Sequence, residues 1–146
     1  RLDLAKQVGA TATINTKTQS IDDLLKLVPG GYSYTIDTTG YNPLLKKALE
    51  VLRPAGECVE VGIGGDFTLN LMGDLLLNSK KLSGVVEGDS QPQKFIPEMV
   101  QYYKEGRFPF DKLTKFFAFE DINQAFAASK DASVIKPIVV VDPEYK

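Results

Sequence analysis

The sequence contains no histidine and a single cysteine, Cys58. Without imidazole there is no Ser-His or Cys-His couple, and one thiol cannot build a thiolate-rich zinc site or an internal disulfide framework. Chemistry housed wholly in these residues has to rest on carboxylates, lysine, tyrosine or a bound cofactor. No apolar run approaches the roughly 20 residues that a membrane-crossing helix needs, and no secretory signal pattern opens the chain. A net charge of -2, with Lys and Arg scattered, provides no basic stripe for a nucleic-acid backbone. Neither nucleic acid nor a membrane is an expected partner. A lone cysteine fits a reducing compartment, so a cytoplasmic location is the expectation.

What remains is a chain of 146 residues, 43% hydrophobic, which is enough to bury one sizeable core. "RLDLAKQVG" puts Leu4, Ala5 and Val8 on one helical face and Gly9 at a left-handed stop. No capping residue precedes Arg1 and no Met opens the chain, so the expectation is that this is part of a longer sequence. "TATIN" (residues 11 to 15) reads as a strand, and residues 21 to 28 as a helix closed by "PGG". Residues 32 to 39 read as the next strand. Asn42 is the expected cap of the following helix, with Pro43 in its first turn and Leu44, Leu45, Ala48, Leu49 and Leu52 as its buried stripe. "RPAG" is expected to close that helix before a strand over 57 to 63.

A short Leu-rich helix over 71 to 77 and a strand over 82 to 87 come next. Phe95, Ile96, Met99, Val100 and Tyr103 mark a longer amphipathic helix. "FEDINQAF" supplies another, with Ile122, Ala125 and Phe126 inward, and "VIKPIVVV" a last strand whose proline argues for an edge. Strands joined by crossover helices define the α/β class with a parallel sheet, because a parallel pair cannot be closed by a tight turn. Ligands of such sheets gather at the carboxyl ends of the strands, here "DTTG", "VGIGG" and "VVEGDS".

Each chemical residue has an ordinary reading beside a functional one. Gly62, Gly64 and Gly65 suit either a plain turn or a cofactor surface. Asp37 reads as a strand-end carboxylate that steadies the next turn, and Cys58 as a small buried residue. Glu87 and Asp89 flank a glycine and could face a pocket. Lys80 and Lys81 read as solvated, whereas Lys136 is the one charge in an apolar strand. Phe108, Phe110, Phe116, Phe117 and Phe119 read as core or interface.

Six segments in order carry a resemblance: "AKQVGATATIN", "DTTG", "LRPAGECVEVGIGG", "GVVEGDSQPQKFIPEMVQYYKEGRFPFDKL", "FEDINQAF" and "VIKPIVVV". Together they resemble the zinc-type alcohol dehydrogenases of the medium-chain dehydrogenase/reductase family, and "EGDS" with "GRFPFDKL" its aryl-alcohol branch. The resemblance implies a partial Rossmann-type parallel sheet with flanking helices, lacking the first two strands. It divides the chain into a truncated nucleotide-binding domain over 1–133 and a strand over 134–146 that returns toward an absent catalytic domain. It implies NAD or NADP as cofactor, a small alcohol or aldehyde as substrate of the intact protein, and a homo-oligomer formed through the strand at 82 to 87. By motif, Arg1 would lie near the adenosine ribose, and Thr38 and Thr39 against the cofactor at a strand end. Val61, Gly62 and Ile63 would flank the nicotinamide, and main-chain groups of Val61, Val85 and Glu87 would face its carboxamide. Lys136 would approach the pyrophosphate.

The departures are as informative. The G-x-G-x-x-G turn and the acidic residue about 20 positions after it are absent, as are the Cys and His ligands of the family's zinc, which the resemblance assigns to a separate N-terminal domain. No catalytic or metal-binding residue is therefore assigned here. Strands one and two of the family's 3-2-1-4-5-6 order would lie between "TATIN" and the strand at 32 to 39, so the edge of that strand is expected to need either "TATIN" or another chain. Two other readings stay open: a stand-alone dehydrogenase relic with an interaction role or a cofactor-free reaction, and a fragment of an S-adenosylmethionine methyltransferase, suggested by "LRPAGECVEVGI".

Overall fold

Parallel strands joined by helical crossovers form both sheets of the chain. The computed structural model describes residues 1–144; the last two positions of the span 134–146 lie outside the described residues. Two compact units emerge, Arg1–Ser90 and Gln91–Lys146.

In the first unit, α1 (Leu2–Gln7) is followed by Gly9 at φ +117°, the left-handed stop that its sequence requires. "TATIN" forms no strand: these residues pair with no neighbour, and a strand without a partner leaves its ladder unmade. Ser20 caps a tight turn at Ile21–Asp23, accepting from the Asp22 N–H at 3.1 Å, and α2 (Leu24–Leu27) completes the expected helical segment. Next come β1 (Tyr32–Asp37), α3 (Asn42–Glu50) and β2 (Leu52–Glu60). Asn42 is not the cap: Tyr41 occupies that position, and the Asn42 Nδ2 donates instead to the Asp66 carbonyl at 2.6 Å.

"RPAG" lies within β2 and breaks its register. Tyr32 pairs with Leu52 and Tyr34 with Glu57, so the four residues bulge out, with Ala55 left-handed at φ +61°. The regular ladder starts at Glu57 and ends at Glu60, short of Ile63, because the Val61 and Gly62 N–H groups turn back to donate to the Asp37 carbonyl at 2.9 and 3.1 Å. The Leu-rich segment forms a wide π-helical turn, Leu71–Leu75, and a tight 3-10 turn, Leu76–Asn78. Then β3 (Lys81–Gly84) completes a parallel sheet of order β1-β2-β3. It stops well before Glu87, because Glu87, Gly88 and Asp89 are all left-handed (φ +51°, +69° and +49°), which no strand can accommodate.

One face of the sheet is covered by α3. Leu45, Leu49, Leu52 and Cys58 form the buried cluster, with Ala48, Phe67, Leu69, Leu75 and Leu82 packed around it. Each fully buried leucine contributes about 1.5–3 kcal/mol. Leu52 belongs to this core as a strand residue, and Leu44 flanks it half-buried. Lys80 is not simply solvated: its Nζ donates to the Leu49 carbonyl at 2.7 Å and the Glu50 carbonyl at 3.2 Å, closing the end of α3. Tyr34 and Ile36, on the opposite face of the edge strand β1, are exposed.

The second unit holds α4 (Pro92–Lys104), β4 (Thr114–Ala118), α5 (Ile122–Lys130) and β5 (Lys136–Val140). Sequence reading missed β4. Its five residues pair in parallel with β5, from Thr114 opposite Lys136 to Ala118 opposite Val140. Ala125 is buried as expected, but Phe126 points outward and is 69% exposed. Phe108, Phe110, Phe116 and Phe119 are exposed and so are not core. The same holds for Phe95, Ile96 and Val100 on α4.

Candidate functional site

All three strands of the first unit run in the same direction, so their carboxyl ends open side by side on one edge of the sheet. Asp37 organises that edge. It is 6% exposed, and its Oδ1 accepts from the Thr39 N–H at 2.8 Å and the Thr39 hydroxyl at 2.7 Å, the turn-steadying role its strand-end position suggested. The Thr39 hydroxyl oxygen in turn accepts from the Tyr41 N–H at 3.0 Å, which feeds the chain into α3.

Gly40, Gly62 and Gly64 let the first two turns press together. A Cβ on Gly62 would lie 2.1 Å from the Gly40 nitrogen, and one on Gly64 would lie 2.6 Å from the Gly40 carbonyl oxygen. Gly40 itself is at φ +64°. These glycines are needed for backbone-on-backbone packing. Gly65 has open space around its Cβ direction and carries no such requirement.

The expected site residues fall into two groups. Thr38, Thr39, Val61, Gly62, Ile63, Val85 and Glu87 are brought to the shared edge: Thr38 and Thr39 after β1, Val61 to Ile63 after β2, and Val85 to Glu87 after β3. The Val85 N–H donates to the Glu60 carbonyl at 3.0 Å and ties the third turn to the second. Ile63 is 99% exposed, an apolar side chain held at the centre of the rim by turns braced on both sides. Arg1 lies ahead of α1 and Lys136 opens β5 in the second unit, both exposed.

Two cavities flank the rim. One of about 340 Å³ lies beside β1 and α3 and is lined by Asp37, Thr38, Thr39, Leu44 and Lys47, among others. The other, about 430 Å³, is lined by Gly40, Asn42, Glu60, Gly62, Gly64, Gly65 and the apolar Leu45, Phe67, Leu69 and Leu82. Glu60 was not singled out in the sequence, although it is the one acid in "CVEVGI". Burial first, then the neighbouring Asp37 charge, push its carboxyl above the usual glutamate range. Burial likewise raises the thiol of Cys58, which is fully buried and inert as a nucleophile.

A parallel sheet whose neighbouring strand ends carry glycine-bearing turns around exposed apolar and hydroxyl groups belongs to the class of Rossmann-like α/β domains. The chain belongs to the zinc-binding dehydrogenase family, which it matches over residues 1–105. It is 33% identical to geraniol dehydrogenase of Castellaniella defragrans over 147 residues, covering 96% of this chain and 39% of that protein. Among solved structures it is similar to benzyl alcohol dehydrogenase of Acinetobacter calcoaceticus, with 41% identity and a TM-score of 0.88 over 97% of this chain and 40% of that one. An alcohol dehydrogenase zinc-binding domain protein from Burkholderia ambifaria superimposes equally well, with 39% identity and a TM-score of 0.88. The chain thus spans about 40% of the length of such relatives.

The residues present do not fit a resident zinc. There is no histidine, Cys58 is enclosed, and among the described residues no group of three or more His, Cys, Asp or Glu side chains is placed to hold a metal. On the strand-end rim Ile63 and Val61 leave apolar side chains exposed. Among the described residues no helix is long and apolar enough to cross a membrane.

Proposed function

We propose that this chain is the cofactor-domain portion of a nicotinamide-dependent alcohol dehydrogenase, with NAD or NADP lying across the rim and a small alcohol or aldehyde as substrate of the whole protein. The observation that carries this reading is the likeness to benzyl alcohol dehydrogenase across nearly the full chain. When bound, the nicotinamide exchanges a hydride with the alcohol carbon. This chain's part is to hold the ring. Ile63 and Val61 cover one face with apolar surface, and Gly62 keeps the turn close to the first strand end. The Val61 and Val85 N–H groups are committed to the Asp37 and Glu60 carbonyls, so the carbonyls of Val61 and Val85 are the groups left to orient a carboxamide. Thr38, Thr39 and the Glu87 main chain complete the rim, while Arg1 and Lys136 are assigned to the ribose and pyrophosphate. No step is assigned to zinc.

The same reading takes residues 1–133 as the nucleotide-binding domain and 134–146 as a strand returning toward a catalytic domain. It makes the free outer edge of β3 a homodimer surface and the cytoplasm the location, which the single buried thiol supports. Titrating the full chain with NADH, NADPH and S-adenosylmethionine, read by fluorescence and calorimetry, tests the core of it. A reduced nicotinamide should bind, and Ile63→Asp should weaken it by roughly tenfold by placing a charge against the ring. Binding of S-adenosylmethionine alone would replace the reading with a methyltransferase, and a folded chain that binds neither favours the relic. Oxidation of benzyl alcohol and geraniol with each cofactor tests the substrate class, and light scattering tests the dimer.

A further inference from the structure

Partners in register across a parallel pair share a face, so Thr35 with Cys58, and Asp37 with Glu60, point toward α3. Asp37 and Glu60 are therefore neighbours at the last rung of the β1-β2 ladder. The Asp37 Oδ2 and both Glu60 carboxyl oxygens are shut off from solvent, and none has a hydrogen-bond partner among the described residues. Three orphaned acid oxygens in one place are too costly to leave as two carboxylates, because like charges side by side in a desolvated site cannot both persist.

Among the described residues no cation stands ready to neutralise them. From β2 the facing titratable group is the Cys58 thiol, which is itself raised by burial and, in smaller part, by these two acids. From α3 it is Lys47, which lines the same cleft as Asp37 but is held by Asp22 at 2.8 Å and by Glu50 at 2.5 Å. From β3 the facing side chain is the apolar Leu82. The Gly62 N–H pulls Glu60 the opposite way, but it is the smallest influence and its hydrogen bond runs to the Asp37 carbonyl.

We propose that the paired Asp37 and Glu60 carboxyls are bridged by one proton, and that this proton locks together the turns forming the candidate cofactor rim. A proton taken from solvent neutralises one carboxylate and supplies the donor that the orphaned oxygens lack. The three turns hang from these two residues: Thr39 from the Asp37 carboxylate, Val61 and Gly62 from the Asp37 carbonyl, and Val85 from the Glu60 carbonyl. Losing the proton leaves two adjacent negative charges that push β1 and β2 apart where the rim is built. A carboxyl whose affinity for protons is raised by folding stabilises the fold fully below the ordinary glutamate range, and that contribution is lost as pH rises through its folded value. The consequence for cofactor affinity rests on the proposed function; the shared proton itself does not.

Carboxyl carbon NMR titration of the full chain tests it, with the amides of Thr39, Val61, Gly62 and Val85 followed in parallel. Glu60 should titrate above the ordinary glutamate range, with the four amides shifting at the same midpoint. In Glu60→Gln, whose amide donates permanently to Asp37, the amide transitions should vanish. An ordinary Glu60 midpoint, or amides that ignore it, overturns the proposal. Should Glu60→Gln fail to fold, the wild-type titration still decides, and Asp37→Asn should lower the Glu60 midpoint. NADH titration of the same samples should show binding weakening by up to about tenfold per pH unit above the midpoint in the wild type and no such trend in Glu60→Gln. Binding that stays flat in the wild type while Glu60 titrates as expected overturns the link to the rim. No NADH binding at any pH removes the proposed function and leaves the carboxyl titration to judge the proton.

Discussion

The first unit has three parallel strands and a helix over them, whereas the second has two parallel strands and one crossover helix. The same local rule built both, since each pair of strands is joined by a helix. Their cores differ sharply. In the first unit the middle strand β2 has neighbours on both sides, and it places Leu52 and Cys58 under α3 beside Leu45 and Leu49. Among its described residues the second unit has no middle strand, and those buried are the small Ala125 and Val134. Its large apolar side chains, Phe116, Phe119 and Phe126, stay outside. A third strand turns a crossover into a core, and the candidate site sits on the unit that has one.

The sharpest way to break this contrast is to empty the first core. Leu49 is 1% exposed, so Leu49→Ala should cost about 2–5 kcal/mol, seen as a lower urea midpoint. Phe126→Ala in the second unit should cost about 0.5 kcal/mol or less, and a loss as large as that of Leu49→Ala would mean that Phe126 is buried.

A smaller effect is expected where the first unit packs backbone on backbone. Gly62→Ala drives a methyl into the Gly40 main chain and should destabilise by about 1–3 kcal/mol, while Gly65→Ala, with open space around it, should stay within about 0.5 kcal/mol. Thermal melts of the two variants separate packing from simple turn preference.

Thr39→Val removes the hydroxyl that both donates to Asp37 and accepts from the Tyr41 N–H. The expected loss is about 1–2 kcal/mol, and amide exchange should quicken in the turn before α3 but not in β4 or β5. The gentlest change is in pH dependence. Wild-type stability should fall as pH rises above the ordinary glutamate range, because Glu60 prefers its proton in the folded state, and Glu60→Gln should flatten that slope in urea titrations repeated across pH.

Much of the first unit could be read in advance. Residues 32 to 37 alternate as a strand should, Pro43 marks the first turn of α3, and the stripe at Leu45 and Leu49 faces the core. The burial of Cys58 and the steadying role of Asp37 also follow from their places at strand positions. The misreadings have identifiable causes. "TATIN" has the composition of a strand, but a strand exists only where a partner offers hydrogen bonds. β4 was hidden because Phe116 and Phe117 are adjacent apolar residues that obscure alternation, and because its partner, β5, lies a full crossover away. Phe126 follows the helical period, yet nothing covers that side of α5 among the described residues of its unit.

The amino-acid order alone pointed to the α/β class and to helical crossovers between parallel strands, and it supplies no histidine and a single cysteine, because periodicity and side-chain inventory are local properties. Only the folded chain decided that Asp37 faces Glu60, that Gly40 touches the Gly62 to Gly64 turn and that three strand ends form a single rim. Those facts depend on strand register, and register is set by contacts between residues some 20 positions apart, which no local pattern encodes.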